Sequence, residues 1–264
     1  MLMTATAQLF DEKLPAFKEQ QNAPWGRLRY GLTFANVQRH LDGQPLRVLD
    51  AGGGNGLDAI PFAARGHAVT LLDYSTEMLA EARRSAEASG VAERMAFQQA
   101  DLAAIPTLFP ESRFDLVLCH NVLQYVDDVG AALKAMCHAL RPGGLISLVC
   151  INRYSEACRQ AFQRLDLDAA YASLDTTSVM TTVFGVPMRV YAAAEMRQPL
   201  QEADCSVVGE YGVRCVCDYI PNNDIKSDPA FFAQLERLEY AMSDKYPYHL
   251  LARYFQVIAR KTVL

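Results

Sequence analysis

Residues 48–56 read Val-Leu-Asp-Ala-Gly-Gly-Gly-Asn-Gly, and a helical pattern follows from Leu57. An apolar segment therefore ends in an acid and continues into four glycines. Glycine adopts positive φ and lets a ligand approach a backbone that carries no Cβ. The free N–H groups at the start of the following helix would face an anionic group. The stretch predicts a nucleotide-binding turn between a strand and a helix.

A second acid, Asp73, follows the next apolar segment, residues 68–72. An acid at the tip of that strand suits the two hydroxyls of a ribose. Asp50 would repel a pyrophosphate, but it suits the cationic amino group of S-adenosylmethionine. Residues 54–59 also match G-x-G-x-x-A, so a dinucleotide-dependent oxidoreductase and a nonenzymatic cofactor-binding module remain alternatives. A further alternative is that Asp50 only caps backbone amides of the turn.

Outward from this turn, strand and helix patterns alternate. Strands are predicted at 46–50, 68–72, 95–98, 114–119 and 145–151, and helices at 57–65, 76–89 and 129–140. Such alternation implies right-handed crossovers and a parallel sheet, with ligands at the carboxyl ends of the strands. We therefore expect an α/β fold, a doubly wound, mostly parallel sheet of seven strands.

The domain organisation is expected to be a single domain over residues 1–264, because the length suits one large α/β unit. Within it we predict a helical lead-in (1–45), whose helix pattern runs from Phe10 to about Leu41 and breaks at Pro24. A cofactor-binding half (46–151) and a helical lid insertion over the active-site mouth (152–190) follow. Residues 191–264 are predicted to form a helix (192–202, strained by Pro199) and two closing strands (206–213 and 251–260).

The composition argues against several classes of protein: those with a basic nucleic-acid-binding surface, membrane proteins, and disulfide-bonded or zinc proteins. The net charge of -5 gives no global basic surface for nucleic acid. No apolar run is long enough to span a membrane, and residues 1–5 lack the pattern of a secretory signal, so we expect no such signal and a cytoplasmic location. Seven cysteines without a C-x-x-C pair argue against disulfides and zinc, and no metal is expected. Cys215 and Cys217 look like neighbours on one face of a strand.

The first half resembles the class I S-adenosylmethionine-dependent methyltransferases in several separate motifs. Besides the glycine turn and Asp73, these motifs are Gln99-Ala100-Asp101, the strand 114–120 and Leu140-Arg141-Pro142-Gly143-Gly144. The resemblance implies that Asp101 meets the adenine amino group, with a helix cap as the alternative. The cofactor residues expected from the glycine turn and these motifs are Asp50, Gly52, Gly53, Gly54, Gly56, Asp73, Tyr74, Ala100, Asp101 and Leu102, and the closer resemblance described next adds Arg29 and His120.

A closer resemblance, to the bacterial tRNA carboxymethoxyuridine methyltransferases, extends over nearly the whole chain. It rests on residues 26–29 (GRLR), 50–54 (DAGGG), 212–214 (GVR), 218–219 (DY), 253–254 (RY) and 257–261 (VIARK). That family implies a methyl ester on the acidic side chain of the wobble uridine. Residues 174–184, however, contain no positive charge, and such a lid suits a small molecule better than a phosphate backbone. We therefore favour a small-molecule oxygen acceptor, with tRNA as the alternative.

Methyl transfer is an in-line displacement, so the enzyme mainly aligns the acceptor and excludes water. His120 is the candidate base that takes a proton from an acceptor hydroxyl. The alternative is that His120 is a neutral, hydrogen-bonded residue of the pocket. Tyr125 is expected in the same cavity, with packing in the core as its alternative. Arg214 and Arg253 interrupt apolar strand patterns and are predicted to bind an anionic group of the substrate. The alternative for them is a salt bridge to Glu210 or Asp218.

Overall fold

The computed structural model describes residues 15, 18–111, 113–180 and 185–263. Its strands are β1 (Arg47–Ala51), β2 (Ala68–Asp73), β3 (Met95–Gln99), β4 (Phe114–His120), β5 (Leu140–Ile151), β6 (Ser178–Met180), β7 (Pro187–Arg189), β8 (Cys205–Val213) and β9 (Tyr254–Lys261). Seven of them form one sheet in the order β3-β2-β1-β4-β5-β9-β8. Strands β1 to β5 are parallel, whereas β9 runs antiparallel to β5 and β8. The predicted seven-stranded, mostly parallel sheet is confirmed.

The helices are α1 (Pro24–Gln38), α2 (Ile60–Ala64), α3 (Thr76–Ala88), α4 (Ile105–Leu108), α5 (Val129–Ala139), α6 (Tyr154–Cys158), α7 (Leu167–Ala172), α8 (Arg197–Gln201) and α9 (Pro229–Met242). Side-chain caps fix where several of them begin. The Ser75 hydroxyl accepts from the Met78 amide at 3.0 Å at the start of α3. Asp228 accepts from the Phe231 amide at 2.7 Å at the start of α9. These contacts satisfy N–H groups that have no partner inside the helix.

Alternating side chains of the central strands enter two hydrophobic clusters, one on each face of the sheet. In β1, Leu49 belongs to the cluster that contains Leu133 and Met136 of α5. Its neighbour Val48 belongs to the cluster that contains Phe62 of α2 and Leu79 of α3. Helices therefore cover both faces, and the carboxyl ends of the strands are left to form the site.

The predicted elements differ from the structure mainly at their ends. The first crossover helix begins at Ile60 rather than at residue 57, because residues 57–59 form turns. The predicted helix 192–202 is a 3-10 turn (193–196) followed by α8, and the last strand begins at Tyr254. Of the predicted lead-in helix, the part before residue 15 and residues 16 and 17 lie outside the described residues.

Three features were not predicted: the short helix α4, helix α9 and the β6–β7 hairpin. Helix α9 is signalled by the Asp228 cap and by Pro229 in the first turn, signals that sequence reasoning missed. The β6–β7 hairpin lies in the insertion, and residues 181–184 between its strands lie outside the described residues.

The interpretation of Cys215 and Cys217 as strand neighbours is wrong. Strand β8 ends at Val213, and Cys217 lies in a 3-10 turn. Both thiols are buried. No group of three side chains suited to a metal occurs among the residues that the structure describes. Nor does that part of the chain contain a helix long and apolar enough to cross a membrane.

Candidate active site

A cavity of about 870 Å³ opens at the carboxyl ends of the central strands. Its volume lies near the upper end of the range of ligand sites, roughly 300–1,000 Å³. Most of the residues predicted from sequence line it: Arg29, Asp50, Gly52, Gly53, Gly54, Asp73, Tyr74, Ala100, Asp101, Leu102, His120, Tyr125 and Arg214. Gly56 and Arg253 are not among the lining residues, and neither is any described residue of the insertion 152–190.

The glycine turn is shaped by close approach and by backbone conformation. Gly52 has a φ of +76°, and a Cβ there would lie 2.6 Å from the Val122 side chain. A Cβ on Gly53 would lie 2.6 Å from the Asp50 carboxylate. Gly56 has a φ of +84° and would place a Cβ 3.3 Å from Ala82 of α3. Gly52 and Gly53 therefore keep the cavity wall open, whereas Gly56 lets the turn pack against α3.

Asp50 is almost completely buried, and its Oδ2 has no hydrogen-bond partner among the described residues. Burial, followed by the charges of Asp58 and Asp73, raises the pKa of Asp50 well above that of an ordinary carboxyl group. A buried charge without a partner is costly. The cavity therefore presents a carboxyl group whose ionised form lacks a cation, and the amino group of S-adenosylmethionine has the chemistry to supply it.

Asp73 ends β2 and is held by backbone amides. Its Oδ2 accepts from the Gly54 amide and its Oδ1 from the Ser75 amide, both at 2.9 Å. Asp73 also lines the cavity, where a carboxylate has the chemistry to accept from a ribose hydroxyl. Asp101 accepts from the Ala103 amide at 2.8 Å and so caps the 3-10 turn 102–104, which is the alternative considered for it. Its position in the cavity wall also suits an adenine contact.

Asp58 joins the N-terminal helix to the fourth strand. Its Oδ2 accepts from Nη1 of Arg29 at 2.8 Å, and its Oδ1 lies 2.8 Å from Nδ1 of His120. Burial would raise the pKa of Asp58, but Arg29 and His120 hold that pKa well below its usual range. Asn121, with a φ of 59°, directs its amide oxygen to Arg29, accepting at 3.2 and 3.0 Å. Arg29 is thus fixed at the cavity by two partners.

His120 uses both ring nitrogens within the protein. Besides the contact of Nδ1 with Asp58, Nε2 lies 2.9 Å from the Ser147 hydroxyl. That hydroxyl also accepts from Nε2 of Gln256 at 2.9 Å, and Gln256 in turn accepts from Asn36 at 2.9 Å. The imidazole therefore connects Asp58 and Arg29 to a second set of buried hydrogen bonds, and each group of the network is oriented by the next. In this arrangement both ring nitrogens are bonded to protein groups, and neither is directed to a methyl acceptor in the cavity.

The segment before α1 forms another part of the wall. Gln21 and Asn55 exchange amide hydrogen bonds, at 2.7 and 3.3 Å, which connects this segment to the glycine turn. A Cβ on Gly26 would lie 2.4 Å from the carbonyl oxygens of Gln20 and Gln21. Gly26 therefore permits the close turn that brings Gln21 to the cavity.

Tyr125 lies in a 3-10 turn after β4, and its side chain is half-buried. It lines the cavity and also packs against a small cluster that contains Ile151, Met188 and Val190. Burial, together with the nearby Tyr254, raises the pKa of Tyr125 above that of a free phenol. Through Met188 of β7 the insertion thus packs against Tyr125, while none of its described residues lines the cavity.

Both predicted substrate arginines have protein partners. Arg214 lies in the cavity wall with a φ of 64° and forms a bidentate pair with Asp218, in which Nε is 2.6 Å from Oδ2. Arg253 donates to the Ser155 hydroxyl at 3.1 Å and to Glu156 at 3.2 Å. The salt bridge considered as an alternative for Arg214 is therefore present with Asp218, while Glu210 pairs with Arg197.

Sequence reasoning missed several residues of the site. Asp58, Asn121, Gln21 and Tyr254 all line the cavity. Asp58 lies two residues after the last glycine of the turn, so its position in the first turn of the crossover was available as a signal. The other three contribute through tertiary contacts that no local pattern marks.

Comparisons with known proteins agree with this geometry. A family model described as a methyltransferase domain matches residues 48–144. The chain is 34% identical over 239 residues, 89% of each chain, to the tRNA 5-carboxymethoxyuridine methyltransferase of Escherichia coli (strain K12). It is 35% identical over 122 residues to a ubiquinone biosynthesis O-methyltransferase of Azotobacter vinelandii, covering 46% of this chain and 51% of that protein.

A solved structure supports the fold. The Burkholderia thailandensis 1,6-didemethyltoxoflavin-N1-methyltransferase, crystallised with its substrate and S-adenosylhomocysteine, matches with a TM-score of 0.59 and 20% identity. The match covers 98% of this chain and 90% of that protein.

Proposed function

The chain belongs to the S-adenosylmethionine-dependent methyltransferases, in the family of the tRNA 5-carboxymethoxyuridine methyltransferases, and from that premise we propose that it methylates a carboxylate, the carboxymethoxy group of a wobble uridine in tRNA. The product would be the methyl ester. The similarity to the tRNA enzyme extends over 89% of both chains, whereas the similarity to ubiquinone biosynthesis O-methyltransferases covers 40–66% of this one.

The observation that supports a carboxylate as the methyl acceptor is that both ring nitrogens of His120 are hydrogen-bonded within the protein. A hydroxyl acceptor needs a base to take its proton, and the candidate base has both nitrogens bonded to Asp58 and Ser147. A carboxylate is already ionised at neutral pH. Its oxygen lone pair forms the new O–CH₃ bond without any proton transfer, which suits a site whose histidine is held in a network.

S-adenosylmethionine supplies the methyl group from its sulfonium centre, whose sulfur keeps the electron pair of the broken C–S bond. In our proposal Asp50 binds the cationic amino group and Asp73 the ribose hydroxyls, while Asp101 and Leu102 lie at the adenine. Arg29 has the charge to bind the carboxylate of the methionine part. Gly52 and Gly53 have no Cβ, so the cofactor can approach the backbone of the turn. The remaining task of the protein is to align the acceptor and exclude water.

Exposed aromatic side chains on the insertion support a nucleic-acid acceptor. Tyr154, Phe162 and Tyr171 are 51%, 58% and 80% exposed. Unpaired bases of RNA loops stack on such rings, with gains of about 1–3 kcal/mol per base. In our proposal these rings would contact the RNA outside the cavity.

A small-molecule oxygen acceptor is the second candidate, and charge favours it. The chain has a net charge of -5, and residues 174–184 contain Asp175 but no lysine or arginine. Binding to a phosphate backbone ordinarily relies on such cations. On this alternative the cavity would hold both the methyl donor and the acceptor.

The test measures transfer of radiolabelled methyl groups into tRNA from a strain that lacks the wobble ester. We expect label in the carboxymethoxyuridine of the anticodon, and its release as methanol by mild alkali, as for an ester. The matched control is tRNA that lacks the carboxymethoxy group and contains unmodified wobble uridine. Labelling of both tRNAs, or of neither, would refute the proposed acceptor and favour the small-molecule alternative.

A further inference from the structure

Three arginines and two acids form a buried cluster beside the cavity: Arg159, Arg214, Arg253, Glu156 and Asp218. Nη1 of Arg159 and Nη1 of Arg253 both lie 3.2 Å from the same oxygen, Oε2 of Glu156. Arg214 pairs with Asp218. Burial would raise the pKa of Asp218, but Arg214, Arg253 and Arg159 together lower it. All three guanidinium groups therefore lie close to these two carboxylates.

Counted over the residues that the structure describes, the cluster has one positive charge in excess. Three arginines face two carboxylates, and the adjacent Lys226 and Glu239 offset one another. Glu239 accepts from the amides of Cys215, Val216 and Cys217, and Lys226 donates to the Cys217 carbonyl at 2.9 Å. Buried cations are costly unless each has an anionic partner. The cluster is therefore short of one carboxylate.

Arg159 has the donor that remains available. Its Nε is buried and has no hydrogen-bond partner among the residues that the structure describes. Arg159 also begins a π-helical turn (Arg159–Gln163), an irregularity that occurs frequently at functional sites.

The cluster is adjacent to the cavity that would hold the methyl donor. Arg214 and Tyr254 line that cavity, and the Tyr254 ring lies 5.3 Å from the guanidinium carbon of Arg214 and 5.9 Å from that of Arg253. Arg159 and Arg253 do not line the cavity themselves. An anionic group of an acceptor that reaches Arg214 would thus lie next to the excess charge.

We propose that this cluster attracts the acceptor carboxylate to Arg214, the member that lines the cavity, while Arg159 and Arg253 supply the excess positive charge behind it, an inference that rests on the proposed function. The guanidinium fork matches the two oxygens of a carboxylate. During transfer one carboxylate oxygen forms the O–CH₃ bond while the C–S bond breaks and its electrons remain on sulfur. The ester that results is neutral, so it no longer supplies the missing charge. The cluster therefore binds the acid and releases the ester.

The experiment measures the affinity of three anticodon stem–loop RNAs, with carboxymethoxyuridine, its methyl ester or uridine at the wobble position, in the presence of S-adenosylhomocysteine. We expect wild-type protein to prefer the acid over the ester by about tenfold or more. Arg159→Met should bring this preference to within about threefold, because the positive charge in excess of the two carboxylates is removed from behind Arg214. Arg159→Lys should retain part of it, since the charge remains without the fork. Affinity for S-adenosylhomocysteine should not change.

Arg164→Met is the matched control, because Arg164 is exposed on the same segment and contacts Gln160. It should keep the wild-type preference. If Arg159→Met also keeps that preference while wild-type protein methylates the acid RNA, the inference is wrong and the proposed function stands. If wild-type protein neither binds nor methylates the acid RNA, the proposed function fails. The same variants are then measured with free 5-carboxymethoxyuridine, and an absence of carboxylate preference there overturns the inference as well.

Discussion

Asp50 has opposite consequences for folding and for cofactor binding. Its pKa is raised in the folded protein by burial and by Asp58 and Asp73. As the pH rises, the unfolded chain therefore loses this proton first, and the cofactor-free protein loses stability through the range up to the raised pKa. We expect Asp50→Asn to stabilise the cofactor-free protein near pH 7 by about 1–3 kcal/mol and to weaken S-adenosylmethionine binding.

Urea unfolding with and without S-adenosylhomocysteine measures both effects. Asp175→Asn, an exposed acid in the insertion, is the control and should change neither quantity. A cofactor-free Asp50→Asn protein that is less stable than wild type, with unchanged affinity, would show that Asp50 is an ordinary capping residue.

His120 should orient Asp58 and Arg29 rather than accept a proton. We expect His120→Gln to slow methyl transfer while leaving the shape of the pH profile unchanged, because an ionised acceptor needs no base. Single-turnover rates at a series of pH values test this. A wild-type rate that rises through about pH 6–7, where a histidine base ordinarily loses its proton, and a variant without that rise would contradict it.

At the scale of residues, local patterns predicted only part of the site. The glycine turn and Asp73 lie where a strand ends, so their geometry follows from short-range sequence. The Asp58 network could not be predicted in this way, because its partners Arg29 and His120 are 29 and 62 positions away in sequence. Nor does sequence show that Arg214 meets Asp218 or that Arg253 lies outside the cavity lining.

At the scale of elements, Gly53 of the glycine turn and Gly43 of an earlier turn illustrate two physical roles of glycine, close approach and positive φ. Gly53→Ala would place a Cβ 2.6 Å from the Asp50 carboxylate and 2.7 Å from Leu71, so we expect a loss of about 1–3 kcal/mol and weaker cofactor binding. Gly43→Ala is the control, since Gly43 has a φ of +82° with nothing within 4 Å. It should cost about 1 kcal/mol through backbone strain alone and leave cofactor affinity unchanged. Thermal unfolding and calorimetry measure the two losses. Equal effects on cofactor affinity in both variants would contradict the steric role of Gly53.

The strands and crossover helices were predictable because apolar periodicity marks a buried face directly. The insertion was not, because its elements are short and take their form from tertiary contacts. Strand β7, for example, is three residues long and packs Met188 against the cluster that includes Tyr125. A sequence window of that length contains no reliable periodic signal.

At the scale of the whole molecule, the N-terminal segment should respond to the cofactor together with the sheet. Gln21 bonds to Asn55 and Arg29 to Asp58, so the segment and the glycine turn form one wall. We expect S-adenosylmethionine at about a hundred times its dissociation constant to raise the free energy of opening of residues 18–38 by up to about 2.7 kcal/mol. Hydrogen exchange with mass spectrometry measures this. Gln21→Ala should reduce the effect, and protection confined to the sheet would contradict it.

The position of β9 between β5 and β8 has a consequence for synthesis on the ribosome. Strand β8 precedes β9 in sequence, yet the two strands beside β9 do not pair with each other. The nascent chain can therefore pair β1 to β5 early, while β8 waits without a neighbour until residues 254–261 leave the exit tunnel. During that interval two unpaired sheet edges are open to association with other chains. The protein is thus most exposed to chaperones and to misassembly just before its sheet closes.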